Sequence, residues 1–340
     1  MASYISAAAD TDQKVRVSAP ARLHLGFLDL NGGAGRKFGS IGLAVDSHQV
    51  VVEAQLAIKT SVTGVDTSSS MVSRIHSLLE KFYASLGKQI PAEHHAVTIE
   101  IIELIPSHAG LGSGTQLALA LGTALCRLHN ITASTQEIAQ HLSRGARSGI
   151  GIATFDHGGF IIDGGLSENS IIPPLLMHHK LPQPWRIVLI MDHSSQGIHG
   201  EQELLAFEEL PEFPITDSHA ICHHVLMQLL PAVMEQKINP FGQAITDIQS
   251  LIGDHFAPAQ GGRYASQQVA LLLEYAQKLG HTGIAQSSWG PTGCIFVESD
   301  KAAKQLVSQL SQYSEQQISS SRGLSFITTQ ANENGADIVV

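Results

Sequence analysis

Apolar residues alternate or run together at 14–18, 23–28, 41–45 and 49–58, the two-residue period of β-strands, with the turn cluster Asn31-Gly-Gly-Ala-Gly35 among them. Over 69–86 the period changes. Met71, Ile75, Leu78, Leu79 and Phe82 recur one helical turn apart, and Gly87 closes the run. A strand at 97–104 leads through a glycine-rich stretch into an apolar helix at 116–128. Ser134-Thr-Gln-Glu137 is a capping box that opens a helix through Leu142, and 158–163 is a strand bracketed by glycines. The segment 166–184 reads as irregular and carries Pro173, Pro174, Pro182 and Pro184, which makes it the boundary between two halves. Beyond it come a strand (186–191), a short helix (201–207) and helices at 217–230 and 238–252 punctuated by Pro231 and Pro240. An amphipathic helix at 265–279 follows, then strands at 283–287 and 294–298, a helix at 301–313 and a strand at 324–328. No internal repeat interrupts this pattern. The sum is an α+β chain with domains at 1–170 and 185–340.

A chain of 340 residues is long enough for two substantial cores. Its net charge of −10, with only 20 scattered Lys and Arg, argues against nucleic acid as a partner but leaves room for a local basic pocket. No apolar run is long enough to span a membrane, and residues 1–12 read as a frayed lead-in rather than a signal peptide. Cys126, Cys222 and Cys294 lack paired spacing and are expected as buried, reduced thiols. A cytoplasmic enzyme fits these features. His219 and His223 have the spacing of a helical metal pair, but no Glu stands between them, and a partly exposed polar face is the preferred reading.

The chemistry concentrates in Ile105-Pro-Ser-His-Ala-Gly-Leu-Gly-Ser-Gly-Thr115. Glycines let a backbone turn tightly against a ligand, and the helix that follows offers unpaired amides and a positive dipole end to an anion. Gly110, Leu111, Gly112, Ser113, Gly114 and Thr115 are therefore candidate phosphate ligands. No Lys follows the last glycine, so this is not a Walker loop. Four further clusters place polar groups beside glycines: Arg22, His24 and Asp29 in an otherwise apolar strand; Arg144 and Arg147 before Gly149 and Gly151, with Asp156 and His157 beyond; Gln260, Gly261 and Gly262; and Ser288, Gly290 and Thr292. Arg22 and His24, two apart, share a strand face. Paired arginines suit a multiply charged phosphate. Each cluster alone is also compatible with a simple turn; together they point to a polyanion-binding cleft.

The order and wording of these motifs resemble the GHMP kinase superfamily. Pro20-Ala-Arg-Leu-His-Leu-Gly26 is similar to its first motif, 106–115 to its Pro-x-x-x-Gly-Leu-Gly-Ser-Ser-x phosphate loop, and Trp289-Gly-Pro-Thr-Gly293 to its third motif. The resemblance implies a ribosomal-S5-like N-terminal domain, a ferredoxin-like C-terminal domain and a ligand held between them. One departure matters. The segment in which such kinases carry a catalytic Asp reads Ser148-Gly-Ile-Gly151 here, and a glycine abstracts no proton. The finer wording resembles the β-ribofuranosylaminobenzene 5'-phosphate synthase branch, through Arg22–Gly26, Arg147–Gly151, Phe155–Phe160, Gly197–Glu201, Gln260–Gly262 and Ser287–Thr292.

That branch implies a decarboxylating phosphoribosyltransferase of tetrahydromethanopterin biosynthesis. It joins 5-phosphoribosyl-1-diphosphate to 4-aminobenzoate or 4-hydroxybenzoate and releases CO2 and diphosphate. The nucleophile is a ring carbon with no proton to lose before attack, so Gly151 is no obstacle. Mg2+ and the arginines, Arg147 preferred over Arg144, would neutralise the leaving group. Arg22 and His24 would position substrate, with His157 in the same cleft, and Asp29 or Asp156 would stabilise an oxocarbenium-like ribose. Gln260, Gly261, Gly262, Ser288, Gly290 and Thr292 are the expected substrate-binding residues; no metal ligands are assigned, and a homodimer is expected from family habit. Two other readings of the cleft are an ATP-dependent small-molecule kinase and a ligand-binding protein without chemistry.

Overall fold

The computed structural model describes residues 13–195, 197, 200–318 and 323–340. The lead-in 1–12 and the motif residues Ile198 and His199 lie outside them. In chain order the elements are β1 (Lys14–Asp29), β2 (Arg36–Leu56), β3 (Ser61–Gly64), α1 (Ser69–Ala84), β4 (Val97–Glu103), α2 (Ser113–Leu128), α3 (Thr135–His141), α4 (Ile150–His157), β5 (Phe160–Asp163), β6 (Leu166–Ser167), β7 (Leu175–His179) and β8 (Arg186–Asp192). After these come α5 (Glu201–Glu209), α6 (Ile215–His224), a π-helical turn (Val225–Leu229), α7 (Leu230–Met234), α8 (Ile238–Gln260), α9 (Gln267–Lys278), β9 (Ile284–Gln286), β10 (Thr292–Val297), α10 (Asp300–Gln317), β11 (Leu324–Thr329) and β12 (Asp337–Val339).

The two apolar runs at 14–18 and 23–28 form one long strand, β1, bent by irregularities at Pro20/Ala21 and His24/Gly26. The runs at 41–45 and 49–58 likewise merge into β2, which pairs antiparallel with β1. The first sheet runs β12-β1-β2-β4-β3, with β5 and β6 also pairing β2 and β7 pairing β5. Leu23 and Leu25 are fully buried on one face of β1, so the intervening residues are turned the other way. Helices α2 and α4 pack on β1 and β2.

The second sheet, β11-β8-β10-β9, is antiparallel throughout and buried on both faces. Val188, Ile190, Ile295 and Val297 meet α9 and α10 through Val269, Leu272, Leu273, Leu306 and Leu310. Ile187, Leu189, Met191, Cys294 and Phe296 face the other way, into the core shared with α8 and the first sheet. A core continuous across the two sheets leaves them little freedom to separate.

Several expectations need correction. The segment 166–184 is not irregular: β7 pairs β5, so the first sheet extends to His179. The glycine-rich stretch 149–157 is helical, because Ile150, Ile152, Ala153 and Phe155 are all buried and tertiary packing overrides glycine's poor propensity. Pro231 does not end a helix; it sits in the first turn of α7, where its missing N–H is not needed, directly after the π-helical turn. Helix α8 runs past Ile252 to Gln260, across Pro258, and ends at Gly261 in the left-handed conformation. Cys126 and Cys294 are buried, but Cys222 is exposed on α6. The capping box at Ser134 is present as read. No group of three or more His, Cys, Asp or Glu with metal-binding geometry occurs among the described residues, and none of the helices is long and apolar enough to cross a membrane.

Candidate active site

Three segments far apart in sequence are stitched at one point. The Arg22 amide donates to the Leu111 carbonyl, and its guanidinium donates to Gly110 O. Ser287 Oγ donates to the same Gly110 oxygen at 2.8 Å and accepts from the His24 amide at 3.0 Å. The Ser288 amide donates to His24 O. The first strand, the glycine loop and the turn between β9 and β10 thus share one hydrogen-bonded knot. Its packing is as tight as its bonding. A Cβ at Gly290 would stand 2.3 Å from Gly110 N, and one at Gly110 would stand 2.2 Å from Ser287 O. Neither contact leaves room for any side chain.

Around this knot lie three adjoining chambers. The first, the cradle, is lined by Gly110, Gly112, Ser113, Gly114 and Thr115 of the loop, with Arg22, Arg74, Arg144, Glu203 and Gly290. Helix α2 starts here at Gly112, which is left-handed at φ 81° and gives the first amides no side-chain cap. Such an N-terminus presents donors and a positive dipole end to an anion. Leu111 contributes backbone only, its side chain being buried. The central chamber adds His24, Phe27, Arg147 and Gly151. The third is walled by Phe27, Ile252, Phe256 and Trp289, with His24, Gln249, Gln260, Gln286 and Ser288 also lining it.

The charge balance inverts that of the whole chain. Four arginines line the first two chambers, against Glu203 as the single acid among the described residues. Glu203 pairs with Arg147 at 3.0 Å, and Arg147 also lies over the Phe207 ring. Among the described residues Arg144 has no carboxylate within ion-pair distance, and Arg144 Nε and Arg147 Nη1 are both buried without a hydrogen bond. Both arginines line the central chamber. Burial lowers Arg22 to about 10, with Glu203 opposing the shift. Burial, and then the charge of Arg22, pushes His24 down to about 3, so its ring is neutral at physiological pH.

Other expected site residues take different places. Asp29 caps a turn, accepting from the amides of Asn31 and Gly32 and from Ser218 Oγ, and lines none of the three chambers. Asp156 accepts from Thr135 near the C-terminal end of α4, and the His157 ring lies tilted against His178; neither lines the three chambers. Gly261 and Gly262 form the exposed end of α8, while Thr292 is wholly buried in β10. Gln260, Ser288 and Gly290 do line the chambers. Arg74 on α1 is the residue the sequence reading missed; its neighbours on that helix form an ordinary amphipathic pattern, and only the fold brings it over the loop. The aromatic wall from α8 went unread for the same reason.

Comparison with known proteins agrees with this geometry. Residues 71–159 match the N-terminal domain of GHMP kinases and residues 229–316 the GHMP kinase C-terminal domain. The β-ribofuranosylphenol 5'-phosphate synthase of Archaeoglobus fulgidus is 33% identical over 337 residues, covering 96% of this chain and 100% of that protein. The synthase of the same name from Methanocaldococcus jannaschii is 32% identical over 260 residues, 69% of this chain and 76% of that one. Among solved structures, homoserine kinase from Cytophaga hutchinsonii superposes with a TM-score of 0.64 at 18% identity over 99% of each chain. Mevalonate diphosphate decarboxylase from Staphylococcus aureus reaches 0.67 at 14% identity over 96% of this chain and 98% of its own. The chain belongs to the GHMP kinase superfamily, in one family with the β-ribofuranosylphenol 5'-phosphate synthases.

Proposed function

We propose that the protein is a decarboxylating phosphoribosyltransferase, joining 5-phosphoribosyl-1-diphosphate to 4-hydroxybenzoate to give β-ribofuranosylphenol 5'-phosphate, CO2 and diphosphate. The relatives' names favour the hydroxy acid over 4-aminobenzoate as acceptor. One observation carries the reading: His24, Phe27 and Ser288 line both the cationic central chamber and the aromatic one. A donor in the cradle and an aromatic acid against Phe256 and Trp289 would meet at that junction.

In the reaction the ring carbon bearing the carboxylate attacks C1 of the ribose, and the C1–oxygen bond to diphosphate breaks. The ring–carboxylate bond then breaks, its electron pair restores aromaticity, and CO2 departs. No base is required, which agrees with Gly151 lining the chamber. The loop amides, Arg22 and Arg144 hold the diphosphate as its charge develops. His24, neutral, brings no positive charge to the acceptor carboxylate, and Arg263 at the aromatic chamber is already paired with Asp254. An uncompensated carboxylate in an apolar pocket is raised in energy, and loss of CO2 relieves this.

The donor set suits Mg2+ carried in on the diphosphate rather than held in a protein cage, since Glu203 is the one carboxylate among the described lining residues, with the Ser113 and Thr115 hydroxyls nearby. Bound there, the ion would supply charge neutralisation for the leaving group. The test is mass spectrometry of an incubation with 4-hydroxybenzoate, phosphoribosyl diphosphate and Mg2+. A ribosylphenol phosphate lacking the carboxyl group is expected. Phosphorylation of a small alcohol by ATP, with no ribosylated product, would refute the proposal.

A further inference from the structure

We propose that Arg74 is a direct ligand of the donor's diphosphate, and that position 114 is glycine because the Arg74 guanidinium occupies the space a side chain would need. This rests on the phosphoribosyl-donor reading and adds a residue to the same site.

Helix α1 buries Met71, Ile75, Leu78, Leu79 and Phe82, which anchors it beside the cradle. Arg74 stands at the edge of that face and extends over the loop. Its Nη2 lies 2.5 Å from where a Cβ on Gly114 would be, and Nη1 of Arg144 lies 3.8 Å from the same point. Two guanidiniums from different segments therefore converge on one backbone position in the first turn of α2. Among the described residues neither has a carboxylate within ion-pair distance, because Glu203 is taken by Arg147. Like charges held together in a half-buried place repel unless an anion lies between them. The planar fork of a guanidinium matches two phosphate oxygens, and Arg74, Arg144 and the amides of the α2 N-terminus surround one such position. The phosphate-loop pattern that this chain resembles has Ser where Gly114 stands; here that position carries no side chain, and the Arg74 guanidinium lies over it.

The experiment is calorimetric titration of inorganic pyrophosphate, without divalent cation, into the wild type, Arg74→Ala, Arg74→Lys, Gly114→Ala and the Arg74→Ala/Gly114→Ala double variant. Thermal midpoints are recorded beside it. Loss of a charge-assisted contact weakens binding about tenfold to a hundredfold, and Arg74→Ala is expected to show that loss. Gly114→Ala pushes the end of the guanidinium aside and should weaken binding in the same direction, by less. The double variant should bind no more weakly than the worse single variant, because both remove one contact. Arg74→Lys, a charge without a fork, should fall between. Wild-type affinity in Arg74→Ala overturns the assignment; if that variant is unfolded, wild-type affinity in Gly114→Ala overturns it. A wild type that binds no pyrophosphate overturns both this assignment and the phosphoribosyl reading, whereas a wild type that binds, with unaffected variants, overturns only this one.

Discussion

Replacing Gly290 by Ala tests whether the knot between the third motif and the glycine loop positions the cradle. The new methyl would sit 2.3 Å from Gly110 N and 2.4 Å from both C and O of Ala109. All three are backbone atoms, so no rotamer relieves the contact. Ordinary van der Waals distance begins near 3.4 Å, so the turn and the loop must part by about 1 Å. Overpacking of this kind costs about 1–3 kcal/mol of stability. A displacement of about 1 Å at a positioned reactant lowers turnover by about a hundredfold. Steady-state kinetics should therefore show kcat/KM for the phosphoribosyl donor down by about two orders of magnitude, with a thermal midpoint only a few degrees lower. Gly261→Ala is the comparison. It also changes a glycine of a motif expected to bind substrate, but no atom lies within 4 Å of its new methyl, and its φ of +80° costs only about 1–2 kcal/mol. It should lose stability and keep its turnover. Wild-type kcat/KM in Gly290→Ala, or equal inactivation by Gly261→Ala, would refute the reasoning.

Arg144→Ala should raise the donor KM at least tenfold, and by more than Arg147→Ala, whose partner Glu203 already balances it; initial rates over a donor series decide. Stability should fall as pH drops below 6.5. His24 and His129 are pushed down by burial to about 3 and about 4, so between those values and 6.5 the unfolded chain binds protons that the folded chain refuses. Thermal melts from pH 7 to pH 5 should show this loss, and His24→Asn should flatten it; an unchanged slope in the variant would remove His24 from the account. Burial raises Cys126 and Cys294 to about 12, whereas Cys222 is exposed. Alkylation of the native protein followed by mass spectrometry should label Cys222 alone, and the other two only after denaturation.

Local signals were legible wherever one element carried them. The strand face shared by Arg22 and His24 follows from two-residue spacing, and the Ser134 cap from its own four residues. The glycine loop declared its helix N-terminus because Gly110 and Gly112 do adopt positive φ. What the sequence does not announce is a partner delivered by another segment. Asp29 and Asp156 each accept from a hydroxyl of another segment, Ser218 or Thr135. The Arg147 partner Glu203 comes from α5, more than fifty residues on. Arg74 gave no signal because a single arginine on an amphipathic helix is ordinary. Glycines at 149 and 151 concealed α4, whose formation depends on burial rather than propensity.

Strand β12 hydrogen-bonds to β1, pairing Val339 with Arg16 and Asp337 with Ser18. During synthesis the first sheet can gather β1 to β5 early, but this border stays open until residues 337–339 leave the ribosome. The second half of the chain is in effect an insertion between two parts of one sheet. A nascent chain therefore carries an unsatisfied strand border for most of its synthesis, which is the stage at which pairing with a second molecule competes.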